Sequence, residues 1–236
     1  MQYSTKIPLA RYQFTFKITK AFYQPDYAGS MLRGCFGHAL KRITCITKQK
    51  QCNSCLMYQN CTYPAIFETP PQAHKIQQFA NVPNPYIIEP PPWGSQVYQA
   101  DDIYQFSMVL TGIALEQLSL LILVWQQVFQ YGIGRDKGQG ELMSVDYINR
   151  DGASKSIYQP DSEHILTHDQ SYSFDSITCK NINDNSKDKN KHIGKQEKPQ
   201  QVIITMQSLL RLQKHSKGVG PEKLKARDFL VTLLRR

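Results

Sequence analysis

From Tyr12 to Ile18 the chain alternates strictly, with Tyr12, Phe14, Phe16 and Ile18 on one side and Gln13, Thr15 and Lys17 on the other. Successive side chains of a strand point to opposite faces, so this segment reads as a strand with one buried and one polar face. After the turn residues Gln24, Pro25 and Asp26, residues 29–44 place Leu32, Phe36, Leu40 and Ile43 at helical spacing. That spacing predicts an amphipathic helix. A Pro-rich passage from Thr69 to Trp93 is expected to run extended, with Tyr86 to Ile88 as a short edge strand inside it. Alternation resumes at Tyr104, Phe106, Met108 and Leu110, a second helix is expected from about Ala114 to Gln130, and a strand around Leu142 to Ile148.

Strand, helix, two strands, helix and strand in that order is the split βαβ plan. It predicts an α+β, ferredoxin-like (RRM-like) domain whose antiparallel sheet carries both helices on one face. We assign it to residues 1–150, with a four-cysteine excursion at 45–61. Residues 151–200 contain SKSIYQPDSEH and DNSKDKNKHIGKQEKPQQ, which are too polar to bury much surface, and read as a linker or flexible insertion. Residues 201–236 read as the start of a second, incomplete ferredoxin-like unit. There Val202 to Met206 is the expected strand, and Gly220 with Pro221 opens a helix with Leu224, Phe229, Leu230, Leu233 and Leu234 inside. One strand and one helix cannot close such a unit, so completion by further sequence or a partner is expected.

The formal net charge of +9 favours a polyanionic partner, because Lys and Arg release counterions from phosphates. The first twenty residues show no apolar core of a signal peptide, which predicts a cytoplasmic protein. The most apolar run, Leu118 to Trp125, is far shorter than the roughly 20 residues that span a bilayer, so no membrane partner is expected.

On the wheel of the first helix, Gly34, His38, Lys41, Arg42 and Cys45 fall opposite the apolar stripe. Gly34 and Gly37 each cost roughly 0.8–1 kcal/mol relative to Ala inside a helix, which suggests that something approaches the backbone closely. Metal-free RNA cleavage needs a base for the 2′-hydroxyl, an acid for the departing 5′-oxygen, and positive charge near the phosphorus. An imidazole suits either proton role. Lys41 and Arg42, one turn away, could supply the charge, and Tyr27 could orient the nucleophile. The plain alternative is a solvated histidine among basic surface residues.

The segment Tyr27-Ala-Gly-Ser-Met-Leu-Arg-Gly-Cys-Phe-Gly-His-Ala-Leu-Lys-Arg resembles the Y-x-G-S-x-L-R-G-x-F-G-H-A-L-R-R signature of CRISPR precursor-RNA-processing endoribonucleases, the Cas-six branch of the RAMP superfamily. The resemblance continues through the cysteines with Tyr63 and Phe67-Glu68, Pro90 to Pro92, Phe106 to Gly112 and Gly132-Ile-Gly-Arg-Asp-Lys-Gly. It implies paired ferredoxin-like folds, binding of CRISPR repeat RNA, association with other CRISPR effector subunits, and metal-independent cleavage leaving a 2′,3′-cyclic phosphate and a 5′-hydroxyl. His38 occupies the place of that family's usual catalytic histidine, with Tyr27 and Lys41 as lesser candidates. Members of the family normally complete the second fold and carry a late glycine-rich loop, which this sequence lacks. A non-catalytic RAMP subunit gripping RNA through Arg33, Lys41, Arg42, Arg135 and Lys137 is the alternative, and a zinc-stabilised protein adaptor a weaker one.

Cys45, Cys52, Cys55 and Cys61 form C-x6-C-x2-C-x5-C, a set that suits a structural zinc ion; an iron–sulfur cluster or unliganded thiols are the competing readings. A closed four-cysteine site leaves no position for a catalytic metal. Cys35 and Cys179 stand outside the spacing. Gly132, Gly134, Gly138 and Gly140 interleave with Arg135 and Lys137, which permits close passage of a phosphate backbone, or simply a flexible turn. The G-x4-G-K-[ST] order is absent, so no nucleotide hydrolysis is expected. His74, His164, His168, His192 and His215 receive no role.

Overall fold

The computed structural model describes residues 6–69, 83–173, 213–214, 217–218 and 225–227. The chain divides into two units, Met1–Tyr172 and Ser173–Arg236. In chain order the first contains β1 (Lys6–Lys20), β2 (Phe22–Gln24), α1 (Ala28–Thr44), α2 (Thr62–Phe67), β3 (Tyr86–Glu89) and β4 (Gln96–Tyr98). There follow β5 (Ile103–Thr111), α3 (Ile113–Glu116), α4 (Leu118–Tyr131), β6 (Gln139–Ile148), β7 (Ser154–Tyr158) and, at the boundary, β8 (Ser171–Ser173).

The fold is mixed α+β around an antiparallel sheet in the order β3-β5-β1-β6-β7, with β8 pairing β1 off that path. β1 lies at the centre: Phe14 stands opposite Phe106 of β5 and Val145 of β6. The apolar side of the alternation is the buried one, since Tyr12, Phe14, Phe16 and Ile18 have no exposed surface; on the other side Lys17 is exposed, but Gln13 is half-buried and Thr15 is buried, its hydroxyl accepting from the Gln105 amide at 3.1 Å. Both long helices cover that apolar face. Phe36 of α1 stacks on Trp125 of α4 at 5.3 Å, and Trp125 packs at 4.4 Å from Phe106, which stacks on Phe14. The Trp125 indole N–H donates to the Met108 sulfur at 2.9 Å, so its burial leaves no orphan donor.

Three features depart from the sequence reading. First, the helix expected over 114–130 is two helices separated at Gln117. Second, Phe22–Gln24, partly read as turn material, pairs with Gln96–Tyr98. This ribbon covers the buried Tyr104, with Phe22 and Tyr98 stacked at 5.5 Å and Tyr98 at 4.8 Å from the Tyr104 ring. Third, part of the stretch expected as a linker folds onto the sheet: β7 pairs with β6, and Ile157 is fully buried. Ile157 together with the partly buried Tyr158 and Ile165 packs this segment onto the core, although its overall polar composition carried no such signal.

The chain then returns over the sheet end, where Leu166 N–H donates to the Ile157 carbonyl at 2.8 Å and Leu9 N–H to the Gln170 carbonyl at 3.0 Å. His168, given no role above, fastens this return. Its Nδ1 faces the Leu166 carbonyl at 2.9 Å and so carries the ring proton, leaving Nε2 to accept from the Tyr12 hydroxyl at 2.7 Å. Burial pushes the Tyr12 hydroxyl pKa well above the usual phenol range, while a hydrogen bond with Gln170 opposes that rise. Because Gln170 offers this second partner, His168→Ala is expected to cost only about 1 kcal/mol in urea unfolding.

In the second unit, Gln213–Lys214 and Lys217–Gly218 pair antiparallel. The strand expected at Val202 to Met206, nearly all of the helix expected beyond Gly220, Cys179, His74, His192, His215 and the remainder of the polar stretch lie outside the described residues. No described helix is long and apolar enough to cross a membrane.

Candidate functional site

α1 begins directly after Tyr27 and buries Ala28, Gly29, Leu32, Phe36, Gly37, Ala39 and Leu40. His38 falls on the opposite, exposed side, and among the described residues nothing hydrogen-bonds or pairs with it. The two glycines beside it differ in kind. A Cβ on Gly37 would overlap the Phe67 ring, so this glycine exists to seat α2 against α1. A Cβ on Gly34 would meet nothing within 4 Å. Gly34 therefore has no internal packing reason among the described residues, and it lies one turn from His38 on the exposed side.

The cations of α1 are already in use. The Arg33 guanidinium donates to the Tyr86 hydroxyl at 2.7 Å and lies 4.7 Å over the Phe67 ring. Burial pushes the Tyr86 hydroxyl up to about 12, against the opposing pull of Arg33. The Lys41 ammonium donates to the Lys50 carbonyl at 3.0 Å and sits 5.3 Å over Tyr63, so it is turned toward the cysteine segment. Arg42 lies flat on the Tyr131 ring at 3.7 Å, beside the glycine loop. The positive charge expected around His38 is thus divided, with Arg42 on the loop side and Lys41 on the other.

That loop is a closed hairpin rather than slack chain. Ile133 and Gly138 exchange backbone hydrogen bonds at 2.7 and 2.9 Å, and the Tyr23 N–H donates to the Asp136 carboxylate at 2.9 Å. Gly134 takes φ +71°, and a Cβ there would stand 3.4 Å from the Met31 sulfur. Met31, His38 and Arg42 follow one another at helical spacing along one stripe of α1. Since Gly134 abuts Met31 and Tyr131 abuts Arg42, the hairpin borders the stripe that carries His38. Arg135 and Lys137 are exposed at its tip, and neither forms an ion pair among the described residues. If this hairpin tip meets RNA, changing both to Gln is expected to flatten the salt dependence of that binding by about 2 logarithmic units per decade and to weaken it without changing sequence preference. Titrations at several salt concentrations check this.

Tyr27 stands at the far end of the helix. Its ring lies against Gly29, where a Cβ would overlap it, and it stacks with Trp93 at 6.0 Å. Both aromatics are partly open, Trp93 at 57% exposure and Tyr27 at 40%. About 16 Å of helical rise separates Tyr27 from His38, so the two do not meet at one reacting group. An exposed tyrosine–tryptophan stack beside a glycine on a helix start is legible only in three dimensions, and the sequence reading missed Trp93.

The four cysteines of the expected metal site all line one cavity of about 130 Å³, together with Thr47, Tyr63 and Pro64. The Thr47 hydroxyl lies 3.4 Å from the Cys55 sulfur and 3.9 Å from that of Cys45. The Thr47 contact lowers the Cys55 pKa, whereas burial raises that of Cys52. Among the described residues no three Cys, His, Asp or Glu side chains stand close enough together to hold a metal ion in this arrangement.

A family model described as an N-terminal domain matches residues 7–170, essentially the whole of the first unit. No curated protein matches the chain.

Proposed function

We propose that this chain, which belongs to the family described as that N-terminal domain, binds CRISPR repeat RNA and cuts it without a metal at His38. The observation that carries the proposal is the exposed imidazole of His38, without a partner among the described residues, beside the open backbone at Gly34 and bordered by a hairpin whose two cations form no ion pair among those residues. The Cas-six resemblance of residues 27–42 supports the substrate class. The strand order β3-β5-β1-β6, with both long helices on one face, supports a ferredoxin-like reading of the first unit and a RAMP-type protein. Cleavage of a cellular transcript, alone or with other CRISPR effector subunits, would take place in the cytoplasm.

In this reading the RNA strand follows the exposed side of α1. A base rests on the Tyr27–Trp93 stack, the sugar-phosphate backbone passes over Gly34, and one ribose reaches His38. The imidazole removes the 2′-hydroxyl proton, the 2′-oxygen bonds to phosphorus, and the bond to the 5′-oxygen breaks. A proton from solvent water completes the 5′-hydroxyl, the imidazolium returns its own proton to solvent, and the cyclic phosphate remains on the upstream product. Arg42, Arg135 and Lys137 supply charge where the phosphorane develops. Lys41 and Arg33 hold the cysteine segment, α2 and β3 in place, and Tyr27 positions a nucleotide away from the reacting one.

One observation favours a second reading, a binding subunit without chemistry: among the described residues no hydrogen bond or ion pair joins His38 to a group that could protonate the departing oxygen. Incubating 5′-labelled repeat RNA with the chain in EDTA separates the two. Shortened RNA ending in a cyclic phosphate is expected, whereas a retarded but intact band would establish the binding subunit.

A further inference from the structure

The connection between α1 and α2 presents a problem of stability that its own apolar residues do not solve. It runs through the four cysteines from Cys45 to Cys61, and its larger apolar side chains face water: Leu56 is 100% exposed, Ile46 85% and Met57 44%. Its single helical turn, Tyr58–Asn60, buries nothing. Connections of this length that lack a core of their own are uncommon and are usually functional or held by something else. Yet Cys52 and Cys61 pack partly against the main core, and all four thiols open on a single cavity.

Backbone turns run through the cysteine segment. Cys55 N–H donates to the Cys52 carbonyl at 3.0 Å and Tyr58 N–H to that of Cys55 at 3.0 Å. These turns bring the C-x2-C sulfurs to the same cavity wall. Lys41 fixes the segment from the other side through the Lys50 carbonyl, and the Cys45 N–H bonds the Lys41 carbonyl at 2.9 Å. Cys45 is thereby anchored to α1 and Cys61 to the start of α2, so an ion between them would join the two helices.

We propose that Cys45, Cys52, Cys55 and Cys61 bind one zinc ion that closes this segment around the cavity and braces α2 against α1. The assignment is independent of the RNA reading. As they stand, the sulfurs line the cavity without reaching ligating spacing, so binding must draw the exposed segment inward. Each thiol gives its proton to solvent as it ligates, and four thiolates favour zinc over harder cations. Cys35, on α1 and outside the cavity, takes no part.

The test is metal analysis of the full chain purified without added metal, followed by replacement with cobalt(II). About one zinc per chain and the visible bands of tetrahedral thiolate-bound cobalt are expected. Cys55→Ser, at an exposed turn, is expected to lose the ion while helical circular dichroism persists, and Cys35→Ser to keep it. Iron with acid-labile sulfide, absence of metal with no cobalt bands, or loss of the ion in a folded Cys35→Ser protein would each overturn the proposal.

Discussion

Replacing His38 with alanine is expected to lower the rate of repeat-RNA cleavage by about 10²–10⁴-fold, the contribution of a positioned proton-transfer group, while leaving RNA affinity within about twofold. The asymmetry follows from the structure. His38 makes no described contact that holds the fold, so its loss removes chemistry and little else. In the proposed reading binding is carried elsewhere, by Arg42, which lies over Tyr131, by the hairpin cations and by the Tyr27–Trp93 stack. Single-turnover cleavage and equilibrium binding on the same preparation check both halves. Unchanged cleavage would remove His38 from the mechanism, and a large loss of affinity would make it a binding residue instead.

The second large effect is a pair of opposite signs. Gly37→Ala must push Phe67 aside and is expected to destabilise the protein by about 1–3 kcal/mol, the cost of overpacking a filled site. Gly34→Ala enters open space on a regular helix and is expected to stabilise by about 0.8–1 kcal/mol, because alanine loses less backbone freedom. If the RNA backbone passes over Gly34, the same methyl group is expected to slow cleavage by about tenfold or more, since a small displacement of reacting atoms is costly. A more stable, less active Gly34→Ala protein is the signature of a glycine kept for a ligand. Denaturation and cleavage assays on both variants decide it; a Gly34→Ala protein of unchanged activity would show that nothing approaches that backbone.

Much of the architecture was legible because period and burial coincide. The alternation over Tyr12 to Ile18 and Tyr104 to Leu110 and the helical spacing of Leu32, Phe36 and Leu40 each report one face against one core. The ribbon at Phe22 and Tyr98 was not legible, because three-residue strands are too short to show a period. β7 was hidden by its polar neighbours, although Ile157, with Tyr158 beside it, anchors it to the core. In the candidate site the side of α1 that carries His38 could be read from the wheel, but the use of its cations could not. Whether Lys41 turns toward His38 or toward the Lys50 carbonyl depends on where a distant loop falls. The same holds for Gly34 and Gly37, identical in sequence terms and distinguished only by the Phe67 ring.

The account depends on the imidazole of His38 meeting bound RNA, and its ring resonances observe this directly. In the ¹³C-histidine-labelled chain, assigned by comparison with the His38→Ala protein, titration with non-cleavable 2′-deoxy repeat is expected to shift the His38 signals progressively to saturation. His168, half-buried and hydrogen-bonded to the Tyr12 hydroxyl, should stay in place. A His38 signal that does not move when the chain is fully bound would contradict the account at its centre.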